Sequence, residues 1–359
     1  MPSISDLLQA KQTLGSHLLR LGLRGGVLGM AAALRVTHAV ARASQTVHAI
    51  GIGRKLVYGS STPQRCVRVY VVQKLAPSLL PPKDRIPASI DGVPTDVIES
   101  PPAYIYAKKK AKPKPRKAKT AATESAAIDR RQSQRPVIAG ISTGHFEITM
   151  GTIGYFCRSR RTGDNPTDVY VLSNNHIYAS LNHAREGDYL LQPGPGDGGQ
   201  VTDTIAEFKR TVTLVIDGTT PNKVDAAIGR LRPDAPYHLE ILRIGAVSGA
   251  SRATEGMIVC KHGRTTGFTE GHVTDESYDT LVGMDDSDPS QVAFFQNQIR
   301  FEPQAPYPAI ALGGDSGSLI LQKDNRSAVG LYFSGPEGGS YGVANHIHEV
   351  LNELEIDLL

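Results

Sequence analysis

Hydrophobic residues recur along this chain with two different periods. Between residues 4 and 42 the apolar positions Leu7, Leu8, Leu14, Leu18, Leu19 and Leu21 follow helical spacing, and Gly25, Gly26 and Gly29 interrupt it. That pattern predicts a helix covering a small neighbouring domain; the alternative is an amphipathic helix that anchors the chain or docks on a partner. Residues 48–57 and 66–74 read as strands followed by a Pro-rich return, so residues 1–103 are expected to form the helix plus a small α+β domain. Beyond Pro136 the runs become short and strand-like. Val169-Tyr170-Val171-Leu172-Ser173 reads as a buried strand, and Val292-Ala293-Phe294-Phe295 leads on to Ile299-Arg300-Phe301. The chain closes on His348–Leu354, which has a helical pattern. With 36 glycines and 23 prolines in 359 residues, the composition suits a turn-rich, mainly β architecture.

Charge divides the chain rather than characterising it. Residues 104–136 carry eleven Lys/Arg against Glu124 and Asp129, a net +9, whereas the whole chain is only +4, so the remainder is 4 − 9 = −5. Residues 104–135 are therefore expected to be a basic, Lys/Pro-rich disordered linker, because they lack the apolar side chains that offset ordering entropy. Residues 108–119 read either as a solvated tether or as an electrostatic contact with nucleic acid or another polyanion. No aromatic residues interleave with the lysines, so base stacking has no support.

Three scattered cysteines, Cys66, Cys157 and Cys260, are too few and too odd in number for a disulfide framework, which points to a reducing cytoplasm. No membrane span is expected. The longest apolar run near the start, residues 25–34, is only ten residues between Arg24 and Arg35. A signal peptide would need an n-region containing Asp6, Lys11, Arg20 and Arg24, which is too long.

Nucleophilic chemistry is written in three places. Gly314-Asp315-Ser316-Gly317 offers a serine on a glycine-framed turn, where Gly314 N–H and Ser316 N–H can hold an oxyanion and Gly317 clears the substrate's path. Upstream, the strand 169–173 runs into Asn174-Asn175-His176, and a histidine at a strand end is held rigidly, as a general base must be. Asp225 heads the apolar run Ala226-Ala227-Ile228 and is the acid expected to orient the imidazole. Its rivals read otherwise: Asp217-Gly218 is a turn, and Asp203 precedes a strand. His145, His183 and His262 lack the strand-end context. His346-x-His348 and Asp285-Asp286-Ser287-Asp288 read as helix surface and solvated loop rather than metal sites.

In order and spacing, with gaps of 49 and 91 residues, His176, Asp225 and Ser316 resemble the triad of the trypsin/chymotrypsin-like serine proteases. Leu172–His176, Asp225-Ala226-Ala227-Ile228 and Val329–Gly335 are each similar to a motif of that family. Within it, Gly140–His145, Gln192-Pro193-Gly194-Pro195 and Lys261-His262-Gly263-Arg264-Thr265-Thr266-Gly267 resemble an intracellular bacterial branch similar to plant Narrow Leaf-type proteins. The resemblance covers residues 136–359 and implies two antiparallel β-barrels of the trypsin-like type, with the site between them and no cofactor.

It also implies a primary pocket based at Ile310, six residues before the serine, and lined by Phe333, Gly335 and Gly342. Without a carboxylate at Ile310, cleavage after Lys or Arg is not expected; an apolar or small side chain fits instead. The residue after the histidine is Ile177, where secreted relatives carry a disulfide cysteine. In that family Asp315 often pairs with a newly cleaved N-terminal amine; here Pro136 blocks such cleavage, so Asp315 is expected to be held by internal hydrogen bonds. The expected activity is that of a serine endopeptidase acting on protein or peptide. A protease-fold interaction module or nucleic-acid-associated regulator with vestigial activity is the alternative. Oligomeric state is not legible.

Overall fold

The computed structural model describes residues 2–19, 46–82, 85–105, 128–285, 288 and 290–359. The glycine-interrupted stretch after Leu19 and the basic residues 108–119 lie outside them. Ser3 starts the first helix, Ile4–Leu18: its hydroxyl accepts from Asp6 N–H at 3.2 Å, and Asp6 accepts from Ser3 N–H at 2.8 Å. The buried side of the helix, Leu7, Ala10 and Leu14, packs in one cluster with Ile50, Ile52, Val67, Leu281 and Phe294. The hairpin Val47–Val57 and Ser60–Val71 turns at Tyr58-Gly59, both with positive φ, the two-residue turn whose twist suits paired strands.

The molecule is mainly β. Six strands close a ring: Ile258–Gly263, Gly267–Gly283, Val292–Pro303, Gly342–His346, Ala328–Ser334 and Leu319–Gln322, the last pairing back to the first, all antiparallel. Val259, Val273, Ile299, Phe301, Ile310, Ile320 and Val329 form one cluster of its core. The second sheet runs from Ile356–Leu358 through Tyr155–Ser159, Tyr170–Ser173, Ala227–Leu231, Thr204–Thr211, Tyr189–Leu191 and Ser142–His145 to Gly151–Thr152. No pairing joins its two end strands. The sheets are thus a ring and a half-barrel, where two barrels were expected.

The N-terminal strands belong to the same sheet as the ring. Val47–Val57 pairs antiparallel with Gly267–Gly283 at Ala49↔Thr280 and Ile50↔Asp279, so the N-terminal hairpin extends the ring's sheet. The physical reason lies in the hairpin Gly267–Gly283/Val292–Pro303. It is longer than the strands beside it, and an uncovered edge of that length needs a partner. Arg130, inside the expected linker, donates from Nε to the Arg264 carbonyl and from a terminal nitrogen to the Thr265 carbonyl, both at 2.9 Å, and its own carbonyl accepts from Ser142 N–H at 2.8 Å. Composition sees polar residues there, but those guanidinium donors satisfy loop carbonyls. The closing helix, Ile347–Glu353, forms as expected, and the strand Ile356–Leu358 follows it.

Candidate active site

His176 sits in the one-turn helix Asn175–Tyr178, directly after the buried strand Tyr170–Ser173. Its Nδ1 lies 2.5 Å from Asp225 Oδ2, and its backbone N–H donates to Asp225 Oδ1 at 3.2 Å, so one carboxylate fixes both ring and backbone. Asp225 is itself fully buried and tied at its own backbone: its N–H donates to Asn345 Oδ1 at 3.0 Å, and its carbonyl accepts from Asn174 Nδ2 at 2.8 Å. Asn345 is held in turn by Gln298, to whose Oε1 it donates at 2.7 Å. A residue 120 positions away in sequence thus positions the acid, and no local motif announces it.

The other ring nitrogen, His176 Nε2, is buried with no hydrogen-bond partner among the described residues. Its tautomer follows from the carboxylate: with Nδ1–H directed at Asp225, Nε2 keeps its lone pair free to accept a proton.

Ser316 comes from the ring side. Its loop docks against the half-barrel, where Thr152 N–H donates to the Ser316 carbonyl at 2.8 Å and Thr152 Oγ1 to the Gly314 carbonyl at 2.9 Å. Gly317 (φ +94°) lies so close to the end of the histidine's strand that a Cβ there would stand 2.2 Å from Ser173 Oγ. Only glycine permits that approach. Ser316 Oγ reaches the Phe333 carbonyl at 3.5 Å and makes no hydrogen bond to His176. Gly314 (φ +94°) and Ser316 donate neither of their N–H groups to an acceptor among the described residues.

Asp315 is locked in place. It accepts from the N–H groups of Thr265 (2.7 Å), Thr266 (3.1 Å) and Leu312 (2.9 Å) and from Thr266 Oγ1 (2.8 Å). Lys261 Nζ lies 3.5 Å away, with both side chains buried. Burial lowers the Lys261 pKa, and the Asp315 charge opposes that. Lys261 thus sets a buried basic side chain directly against the Asp315 carboxylate. In the sequence Lys261 stands only within a motif; its contact with Asp315 is visible once the fold brings the two together. Arg264, one residue before Thr265, ties its own turn to Asp197, its Nε donating to Asp197 Oδ2 at 2.8 Å.

The rival groups are occupied elsewhere. His145 Nε2 is 3.2 Å from Asp188 Oδ2, and His183 turns onto its own backbone. His262 Nδ1 donates to the Gly140 carbonyl at 2.8 Å, and burial pushes its pKa down to about 4. Asp203 accepts from Gln200 N–H, while Asp217 accepts from Thr219 and Thr220 in a turn, which hold its pKa near 2 against the opposing effect of burial. His346 Nε2 donates to the Glu276 carbonyl at 3.1 Å. Among the described residues no group of three or more His, Cys, Asp or Glu side chains is arranged to hold a metal ion; Asp286 and Ser287 lie outside them.

Of the expected pocket residues, Ile310 is buried with Phe301 and Val273 in the ring's core, while Phe333 belongs to a neighbouring cluster with Phe295, Tyr341 and Val343. A Cβ on Gly342 would stand 2.5 Å from Phe301 Cζ, so glycine there is required by packing. Gly335 pairs with Tyr104 in an isolated antiparallel bridge. All three cysteines are unpaired and buried, and burial raises the thiols of Cys66 and Cys260 to about 12 and about 11.

No family model matches the chain, and no curated protein does. Among solved structures it is similar to a glutamic acid-specific serine protease that uses a histidine triad in substrate binding. That match has 17% identity, spans 62% of this chain and 100% of that one, and has a TM-score of 0.44. It is similar also to Thermobifida fusca protease A (17% identity, 62% and 97%, TM-score 0.43) and to Cellulomonas bogoriensis chymotrypsin (16% identity, 62% and 98%, TM-score 0.41).

Proposed function

We propose that the chain is a serine endopeptidase of the trypsin/chymotrypsin-like type. The observation that carries this reading is the buried His176–Asp225 pair, 2.5 Å apart, with Nε2 unpaired among the described residues, three residues beyond Ser173, against which Gly317 of the Ser316 loop packs. His48 also leaves a buried ring nitrogen, Nδ1, unpaired, but its other nitrogen faces the Ser100 carbonyl, whereas that of His176 faces a buried carboxylate. In the proposed mechanism Ser316 Oγ leaves the Phe333 carbonyl, passes its proton to His176 Nε2 and attacks the scissile carbonyl. The Gly314 and Ser316 N–H groups, which have no acceptor among the described residues, receive the oxyanion. Asp225 stabilises the imidazolium, which then protonates the leaving amine; water, activated by His176, releases the acyl group from Ser316.

The reading extends to a cytoplasmic enzyme of the intracellular branch, acting on protein or peptide after an apolar or small residue, with no metal or cofactor in any step. Three unpaired cysteines support the reducing compartment. The partition into an N-terminal part, a basic tether and a protease region beginning near Pro136 belongs to the same proposal, as does polyanion binding through residues 108–119. No described helix is long and apolar enough to cross a membrane. The test is labelling of the native protein by a fluorophosphonate: it should modify Ser316 and be lost in Ser316→Ala, with peptide hydrolysis lost in parallel. Turnover by Ser316→Ala within tenfold of wild type would overturn the assignment.

A further inference from the structure

We infer that residues Ala103–Ile105 occupy, in cis, the strand position through which this site binds the N-terminal side of its substrate, so that the chain is held in a self-occupied state. The inference rests on the serine-protease reading of Ser316. Tyr104 N–H donates to the Gly335 carbonyl at 3.1 Å, and Gly335 N–H donates to the Tyr104 carbonyl at 3.4 Å, a reciprocal antiparallel pair. Gly335 directly follows the strand Ala328–Ser334, and two residues before it stands Phe333, whose carbonyl Ser316 Oγ touches at 3.5 Å. An antiparallel segment paired at Gly335 therefore runs, in its N-to-C direction, toward the nucleophile, as a substrate must to present the carbonyl beyond its paired residues. Adding a strand to an exposed edge is a general way of capturing an extended peptide.

The segment is well seated. Ala103 and Tyr104 pair in parallel with Val282 and Gly283 on the other side, Ile105 N–H donates to the Gly283 carbonyl at 3.0 Å, and Tyr341 Oη donates to the Pro101 carbonyl at 2.7 Å. Ala103 and Ile105 are buried in the cluster that holds Phe333, Tyr341 and Leu214. His176 and Ser316 are themselves buried, at 1% and 4% exposure. A strand with a purely scaffolding role would strengthen the sheet wherever an edge lay open. This one takes the backbone donor and acceptor of the glycine two residues beyond Phe333, the nucleophile's contact residue.

The experiment compares two labelling rates at Ser316: a small alkyl fluorophosphonate, which reads the reactivity of the serine, and a tetrapeptidyl diphenyl phosphonate, which also needs the strand position. Tyr104→Pro removes the N–H that pairs with Gly335, and Tyr104→Ala keeps it. The ratio of peptidyl to small-probe rate should rise at least tenfold in Tyr104→Pro and stay within about threefold of wild type in Tyr104→Ala. The free peptide Pro-Pro-Ala-Tyr-Ile should then slow peptidyl labelling of Tyr104→Pro and leave the wild type unaffected. If Tyr104→Pro does not fold, Ile105→Asp, which puts a charge where an apolar side chain was buried, is read in the same way. An unchanged ratio in a folded strand-breaking variant overturns the inference while small-probe labelling leaves the serine assignment standing. Absence of small-probe labelling at Ser316 in every form overturns the serine assignment and the inference with it.

Discussion

Replacing Lys261 by methionine keeps most of the side chain's unbranched length, one atom short, and removes its charge, leaving the Asp315 carboxylate buried in the Ser316 loop. The two groups are 3.5 Å apart with 1% and 0% of their side chains exposed. Breaking a buried ion pair by removing one partner costs on the order of 3–5 kcal/mol, because the remaining charge is neither solvated nor paired. Asp315 keeps three N–H donors and a hydroxyl, at 2.7–3.1 Å, which spread its charge and place the expected loss at the lower end, about 3 kcal/mol. Urea unfolding at neutral pH measures it directly. Adding Asp315→Asn removes the orphaned charge, so the double variant should be more stable than Lys261→Met alone, by about 1 kcal/mol or more. Labelling of Ser316 should fall at least tenfold in Lys261→Met, since the same carboxylate anchors the loop that presents Gly314 and Ser316. A loss below about 1 kcal/mol, or no recovery in the double variant, would refute the view that Lys261 holds the loop.

Asp225→Asn should lower the rate of peptide hydrolysis by about 10³–10⁴ with little change in stability, because Asp225 N–H keeps Asn345 while the imidazole loses its carboxylate; a fall of less than tenfold would contradict the role. Gly314→Ala asks a residue at φ +94° to carry a Cβ 2.6 Å from Thr265 Oγ1, and should reduce the labelling rate of Ser316 more than a hundredfold; near-wild-type labelling would mean the loop's geometry is dispensable. For pH, His262 is the informative group. Its folded pKa of about 4 lies below the ordinary 6.5, so the unfolded chain binds the proton first and stability falls as pH drops from 6.5 to 4. Between pH 7 and 4 the wild type should therefore lose about 3 kcal/mol more than His262→Gln, as read by denaturant unfolding, and parallel profiles would count against a buried neutral histidine. Deleting residues 108–119 should leave small-probe labelling unchanged and remove any salt-sensitive binding to a polyanion, measured by fluorescence anisotropy with an oligonucleotide; collapse of labelling would put that segment at the site.

What the chain alone determined is local. The apolar run 169–173 had to be a buried strand, so His176 had to stand at its end; Gly314 and Gly317 had to be glycines in a chain that bends through positive φ around a serine. The capping residue Ser3 and the apolar spacing after it started the first helix, for the same short-range reason. Tertiary structure decided what depends on partners far apart in sequence. Asn345 behind Asp225, Lys261 beneath Asp315 and Arg130 on the Arg264–Thr265 turn are single polar residues, and nothing in their neighbourhood says which buried group they will satisfy. The N-terminal strands show the same limit: their alternation predicts strands but not whose edge they will join, because backbone hydrogen bonding is indifferent to sequence. That edge is settled by which neighbouring strand is left long and uncovered, here Gly267–Gly283 beside Val47–Val57.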